Sequence, residues 1–239
     1  MQHFLFEVHP DWQGLLNKAW ATMDPNYLAW LNTHDQWLPG ARALLAAFRV
    51  PMASVRYVLL GESPYPRAAS ANGYAFWDAG VGSLWSKTGL SVAVNRATSL
   101  RHFMKMLLVA RGDLSLDLSQ NAIAALETSR YVQTAPQLFQ GMLQKGFLLL
   151  NASLVFTQGR VPYHARQWRP FIHAVLCHLA KSSSVELILL GRIAQVFRDT
   201  SLFTGLLAEH PYNISFITQP DVLAFFKPLD LLSPYDQHN

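Results

Sequence analysis

Four clusters of polar residues lie at or after short apolar runs, and each carries side chains able to hold a flat or anionic ligand. The first, GESPYP (Gly61 to Pro66), combines the Glu62 carboxylate, the Ser63 hydroxyl and the Tyr65 phenol. It runs on through ANGYAFWD to Phe76, Trp77 and Asp78, a composition suited to a built pocket. The second, Asn151 with Ser153, follows FLLL. A carboxamide at a strand end offers two donors and an acceptor to a flat polar ring, and equally well satisfies loop backbone. The third, Gly191 with Arg192, sets a guanidinium able to bind phosphate beside a glycine. The fourth, EHPYN (Glu209 to Asn213), holds His210 before Pro211, which biases the histidine towards an extended conformation. Taken singly, His210 fits a surface or structural histidine, and Phe76 and Trp77 fit core residues.

The elements that must position these clusters are legible in the apolar pattern. VRYVLLG (Val55 to Gly61), GFLLLNASLVF (Gly146 to Phe156), VELILLG (Val185 to Gly191) and YNISFIT (Tyr212 to Thr218) have strand length and β-branched or aromatic content. The first three read as buried parallel strands, the fourth as a further strand. Between them, RATSLRHFMKMLLVA places Leu100, Phe103, Met104, Leu107 and Leu108 on one helical face, opposite Arg101, His102 and Lys105. QWRPFIHAVLCHLAKS repeats that period through Ile172, Val175, Leu176 and Leu179. Alternating strands and helices predict an α/β layered fold with a mainly parallel sheet, in which ligands bind where strands end and loops begin.

Composition narrows the function classes. The 239 residues, about half of them apolar, suffice for one substantial core, and we read the chain as a single domain over residues 1–239. Residues 1–50, with tryptophans in HPDW, NKAW, LAWL and DQWL, form a helical N-terminal cap in which tryptophan is a packing residue. Lys and Arg exceed Asp and Glu by 19 to 15, a net charge of +4 that permits a polyanionic partner without requiring one. The single cysteine, Cys177, excludes an internal disulfide framework and four-cysteine metal sites, and reads as a packed core thiol. MQHFLFEVHPDW lacks a basic segment leading into an apolar one, and no run approaches the roughly 18–20 apolar residues of a membrane span. The expectation is a soluble cytoplasmic protein with no membrane partner.

Taken in order, AAFRVPMASVRYVLLGESPYP, ANGYAFWD, GFLLLNASLVFTQGR, QWRPF, LILLGRIAQ and EHP extend over roughly residues 45 to 215. This series resembles the uracil-DNA glycosylase superfamily, specifically the branch whose first motif is Gly-Gln-Asp-Pro-Tyr-His. The resemblance implies a three-layer α/β/α sandwich with a central four-stranded sheet, acting as a monomer on DNA without metal or cofactor. It implies an enzyme that flips a nucleotide out of the duplex and hydrolyses its N-glycosidic bond, leaving an abasic site, because the reactive carbon is inaccessible inside the stack. By the same resemblance Phe76 stacks on the flipped base, Asn151 bonds its polar edge, and Tyr65 walls off pyrimidine C5. The backbone N–H near Glu62 and the His210 side chain meet the base O2, where negative charge grows. Ser153, Gly191 and Arg192 fall at DNA contacts, and Ile214 matches the apolar wedge that fills the vacated stack. The face carrying Arg96, Arg101 and Lys105 adds to the electrostatic footprint or is an ordinary solvated face.

The chain departs from the pattern at the first motif. Ser63 stands where the uracil-excising branch has its water-activating aspartate, and Pro66 replaces the histidine after Tyr65. Serine cannot act as a carboxylate base at neutral pH, so Glu62, and after it Asp78, are the candidates to position water or stabilise the sugar cation. Asp78 equally suits a structural ion pair or turn cap. These changes point to a modified or non-uracil pyrimidine, such as modified cytosine in phage DNA, as in the superfamily's defence enzymes. Retention of Tyr65 points the other way, to ordinary uracil excision in repair. A catalytically weak DNA-binding module is the reading from another class.

Overall fold

The structure is a computed structural model that describes residues 4–5, 7–115, 117–181, 184–196 and 205–235. The strands are β1 (Tyr57–Gly61), β2 (Trp85–Ser86), β3 (Gly89–Leu90), β4 (Phe147–Asn151), β5 (Glu186–Leu190) and β6 (Gly205–Ala208). The helices are α1 (Gln13–Trp20), α2 (Pro25–Thr33), α3 (Val92–Arg96), α4 (Thr98–Arg111), α5 (Gln120–Ala124), α6 (Ala135–Gln144), α7 (Val161–Leu179), α8 (Ile193–Val196) and α9 (Pro220–Phe226). The central sheet has the order β4-β1-β5-β6 and is flanked by helices, which makes the protein α/β as the alternating pattern predicts. β1 and β4 pair in parallel from Tyr57↔Phe147 to Gly61↔Asn151, and β2 and β3 form a small antiparallel pair.

Three of the four apolar runs are strands, at β1, β4 and β5. The fourth is a correction: Ile214–Thr218 is a 3₁₀ helix, and the fourth strand is Gly205–Ala208 instead. Phe216 and Ile217 are buried, so the segment's apolar content serves one side of a tight helical turn rather than a pleat. A second correction concerns GFLLLNASLVF, whose strand stops at Asn151. Beyond it the chain turns, with Ala152 N donating to Gly61 O at 2.8 Å and Ser153 N to Glu62 O at 3.1 Å.

The chain divides into two compact units, one from the described residues of 1–78, 146–188 and 198–205, the other from those of 79–145, 189–197 and 206–239. In the first unit α1 packs on α7, and Trp12, Trp20 and Trp37 are buried as packing residues. Trp20 meets Trp168 edge-on with ring centroids 5.9 Å apart, and Trp168 meets Phe171 at 5.2 Å. A polar chain runs through this apolar region. The Tyr27 hydroxyl lies 2.7 Å from His164 Nδ1, Thr157 Oγ1 lies 2.7 Å from His164 Nε2, and Trp168 Nε1 donates to Tyr27 at 3.1 Å. With both ring nitrogens bonded to hydroxyls, buried His164 needs no charge. Burial, with Arg160 adding to it, lowers its pKa from 6.5 to about 4. Cys177 is half-buried beside His173 on α7, not in the core: it follows the buried pair Val175 and Leu176 on the helix's turning surface.

In the second unit α4 buries the five apolar side chains that its period predicts, each worth roughly 1.5–3 kcal/mol. Phe103 meets Phe226 of α9 edge-on at 5.3 Å, and the Ile214–Thr218 turn packs on α4 as well. α6 begins with a full capping box, Thr134 and Gln137 each bonding the other's backbone. His102 is the exception to the predicted faces: it is 7% exposed, buried with the apolar side chains rather than solvated beside Arg101. No described helix is long and apolar enough to cross a membrane.

Candidate functional site

In the first unit the end of β1 and the end of β4 lie side by side, because their register sets Gly61 opposite Asn151. A Cβ at Gly61 would stand 2.5 Å from Asn151 Oδ1 and 2.9 Å from the Ala75 Cβ, so only glycine lets the carboxamide lie across the strand end. Asn151 is 2% exposed. Ala75 N donates to Leu149 O at 3.0 Å, which stitches the aromatic half of the turn to β4. The parallel pairing therefore brings Gly61, Ala75 and Asn151 to one place from positions far apart in the chain.

Tyr65 and Phe76 are coupled directly. The Tyr65 hydroxyl donates to the Phe76 carbonyl at 3.2 Å, and Phe76 holds the left-handed backbone region at φ +63°. Such a φ is uncommon outside glycine and persists where neighbours enforce it, and the phenol tie is one contact that does so. Burial, with Asp78 adding to it and Arg67 opposing, pushes the Tyr65 phenol up to about 12, and it stays a neutral donor. Tyr74 stacks on Trp77 with centroids 5.1 Å apart, and both Phe76 and Trp77 are half-buried rather than core. Asp78 is buried and pairs with exposed Arg67 at 3.2 Å, the structural ion pair among its expected roles.

The remaining residues of this unit separate. Glu62 is exposed, and its carbonyl accepts from Ser153 N; Ser63 is half-buried. Ser153, expected as a DNA contact, is fully buried, and its hydroxyl donates to Val155 O at 2.8 Å. A hydroxyl committed to the main chain inside the fold shapes the loop behind Asn151 and presents nothing at the surface.

The second unit carries the rest. Gly191 has φ +69°, its N–H donates to Ala208 O at 2.9 Å, and a Cβ there would stand 2.6 Å from the His210 Cβ. Expected at a phosphate contact, Gly191 in this fold makes room for the His210 backbone. Arg192 is exposed, His210 is half-buried, and Ile214 is 72% exposed at the start of its 3₁₀ turn. The Tyr212 N–H donates to His210 Nδ1 at 3.1 Å. A nitrogen that accepts carries no proton, so neutral His210 bears its proton on Nε2 and is a donor there. The buried histidine of α4 joins this turn: His102 Nδ1 lies 2.8 Å from Pro211 O. Sequence reading missed it because nothing local distinguishes this histidine from its solvated neighbours.

The first unit thus holds a buried carboxamide beside an aromatic turn at its strand ends, the second a His-Pro turn with a donor on Nε2, in a protein of the α/β class. The chain matches no family model and none of the curated proteins. Among solved structures, the wild-type UNG of Nitratifractor salsuginis is 39% identical, covers 98% of this chain and 97% of its own, and superposes with a TM-score of 0.94. A point mutant of that protein is likewise 39% identical, covers 98% of each chain and gives 0.93. Mimivirus uracil-DNA glycosylase, 15% identical over 88% of this chain and 70% of its own, shares the fold at 0.59. The chain belongs to the uracil-DNA glycosylase superfamily, and with it to the DNA glycosylases.

Proposed function

We propose that this protein flips a pyrimidine out of DNA and hydrolyses its N-glycosidic bond, leaving an abasic site, and that the base is modified or other than uracil. The observation that carries the reading is the Asn151 carboxamide lying across Gly61, beside a turn whose aspartate position is Ser63. A carboxamide reads uracil in one orientation and the N3 and N4 edge of cytosine in the other. Phe76 stacks on the base and Tyr65 walls its C5 side. The Nε2–H of His210 and the N–H near Glu62 stabilise the charge that grows on O2 as the bond to the sugar breaks. With no carboxylate at Ser63, stabilisation of the leaving group carries most of the rate, and Glu62 positions the water. The turn holds no lysine, which favours simple hydrolysis over Schiff-base chemistry. Arg192 supplies phosphate contact and Ile214 the wedge, in one cytoplasmic, monomeric, single-domain protein. Phage DNA carrying modified cytosine is the substrate we put first, which gives the enzyme a role in defence.

Uracil excision is the second reading, favoured by the Tyr65 ring: fixed through its hydroxyl to Phe76, it leaves little freedom to admit a C5 substituent. The test is abasic-site formation, read by alkaline strand cleavage, on uracil oligonucleotides and on phage DNAs with ordinary, hydroxymethylated or glucosylated cytosine. Cleavage confined to a modified DNA is expected; cleavage confined to uracil establishes the second reading. Tight, salt-sensitive binding with no product on any of these DNAs replaces both with a binding module. Full activity of Asn151→Ala on the true substrate would contradict the pocket.

A further inference from the structure

The Pro211–Tyr212 peptide is gripped at both ends by histidines. Its carbonyl oxygen lies 2.8 Å from His102 Nδ1, and its N–H points at His210 Nδ1, 3.1 Å away. A carbonyl only accepts, so His102 must carry its proton on Nδ1. The N–H only donates, so His210 must be bare at Nδ1 and protonated on Nε2. Leu38–Pro39 is the only cis peptide among the described residues, so the Pro211–Tyr212 unit is trans and planar. In such a unit the C=O and N–H point in opposite directions, and fixing one fixes the other. We propose that His102 is a positioning residue that sets the tautomer of His210 by holding this peptide plane. The inference rests on the reading of His210 as the donor to the departing base.

Several features make the grip one-sided. His102 comes from α4, a 14-residue helix whose buried face is anchored by Leu100, Phe103, Met104 and Leu107. Its Nε2 faces Arg101 Nη2 at 3.5 Å, and Arg101 is itself tied to the Asn95 carbonyl. The charges around the ring are Arg101 and Lys105 of α4; from the turn it meets the main chain of Pro211 and Asn213. Burial first, then these two cations, lowers its pKa, which favours the neutral ring whose single proton sits on Nδ1. On the far side of His210, Gly191 leaves no room for a Cβ, so the histidine backbone is bracketed between Gly191 and the held peptide. If the plane turned over, the Pro211 carbonyl would face His210 Nδ1, draw the proton there and leave Nε2 bare. An Nε2 lone pair beside an oxygen gaining negative charge opposes the reaction that an Nε2–H assists.

The test is histidine ¹⁵N NMR on the free full-length protein, paired with steady-state kinetics. Wild type is expected to show His102 as the Nδ1–H tautomer and His210 as Nε2–H. His102→Leu is expected to give His210 a mixture of tautomers and a kcat lower by roughly 10²-fold, with KM little changed. His102→Asn, whose amide can still donate to Pro211 O, is expected to restore the single tautomer and most of kcat, a result that a merely space-filling role would not give. A wild-type spectrum with His102 protonated on Nε2 overturns the proposal whether or not the variants fold. So does His102→Leu with His210 unchanged as Nε2–H. If the wild-type protein releases no base from any DNA, the proposed function fails, while the tautomer spectra, which need no turnover, still decide this inference.

Discussion

The Gly61–Asp78 turn is bonded across the fold, whereas the Glu209–Ile214 turn is bonded mainly to itself. In the first, Gly61, Glu62 and Ala75 all exchange main-chain bonds with β4 or the turn after it. In the second, Asn213 N donates to His210 O at 2.9 Å, Asn213 Nδ2 to Glu209 at 3.3 Å, and Ser215 to Glu209 as well, all within seven residues. Among the described residues, its supports from outside include the His102 contact with Pro211 O and the packing of the Ile214–Thr218 turn on α4. The difference teaches a division of labour. The turn proposed to hold a base by shape is built as an extension of the sheet. A turn that presents a proton and an exposed apolar side chain is built as a local loop steered from a helix.

The largest expected effect comes from breaking the rigid side. Gly61→Ala places a methyl on the Asn151 carboxamide, and base release should fall by at least roughly 10²-fold in single-turnover assays, since about 1 Å of misplacement costs that much. Activity near wild type would mean that the two strand ends are looser than their bonds indicate.

Acid offers a second way to weaken the first unit. His164 has a folded pKa of about 4 against 6.5 unfolded, so the unfolded chain takes up the proton first as pH falls. Its contribution is fully present above the unfolded value and is lost between about 6.5 and 4, at most roughly 3 kcal/mol. Denaturant midpoints should fall across that window in wild type, and His164→Gln should flatten the dependence.

On the other side, Gly191→Ala adds a methyl against His210 at φ +69° and should cost about 1–2 kcal/mol of stability and about 10-fold in kcat. Hydrogen exchange measures the comparison without mutation. The Tyr212 and Asn213 amides should exchange about 10-fold faster than those of Ala75 and Ser153, because local loops open without disturbing the sheet. Equal protection would erase the distinction. The smallest effect is expected at Ile214→Ala, about threefold weaker duplex binding with kcat nearly kept, because the side chain proposed as the wedge is 72% exposed and its loss takes little from the fold.

What the sequence disclosed follows the same division. β1, β4 and β5 were legible because a buried parallel strand must be continuously apolar, and Asn151 because a polar residue closing such a run marks its end. GESPYP stood out as a departure from a pattern, and the chemistry proposed for it rests on that departure. YNISFIT misled because Tyr212, Ile214 and Phe216 alternate as on a strand face, whereas the residues the fold buries, Phe216 and Ile217, are adjacent, and GLLA was too short to stand out. The burial of His102 and Ser153 was not legible for one reason: their partners are main-chain carbonyls, which every residue has and no sequence pattern advertises. His102 finds its partner 109 positions away.

The phenol tie between Tyr65 and Phe76 bears on how this enzyme can change. On the proposed reading, widening the pocket by trimming Tyr65 also removes one bond to the Phe76 carbonyl at its uncommon backbone state, so a new preference and a poorer stacking platform arrive together. Lineages or laboratory libraries that alter base choice at position 65 should therefore acquire second-site changes around Phe76, and the two positions should drift as a pair.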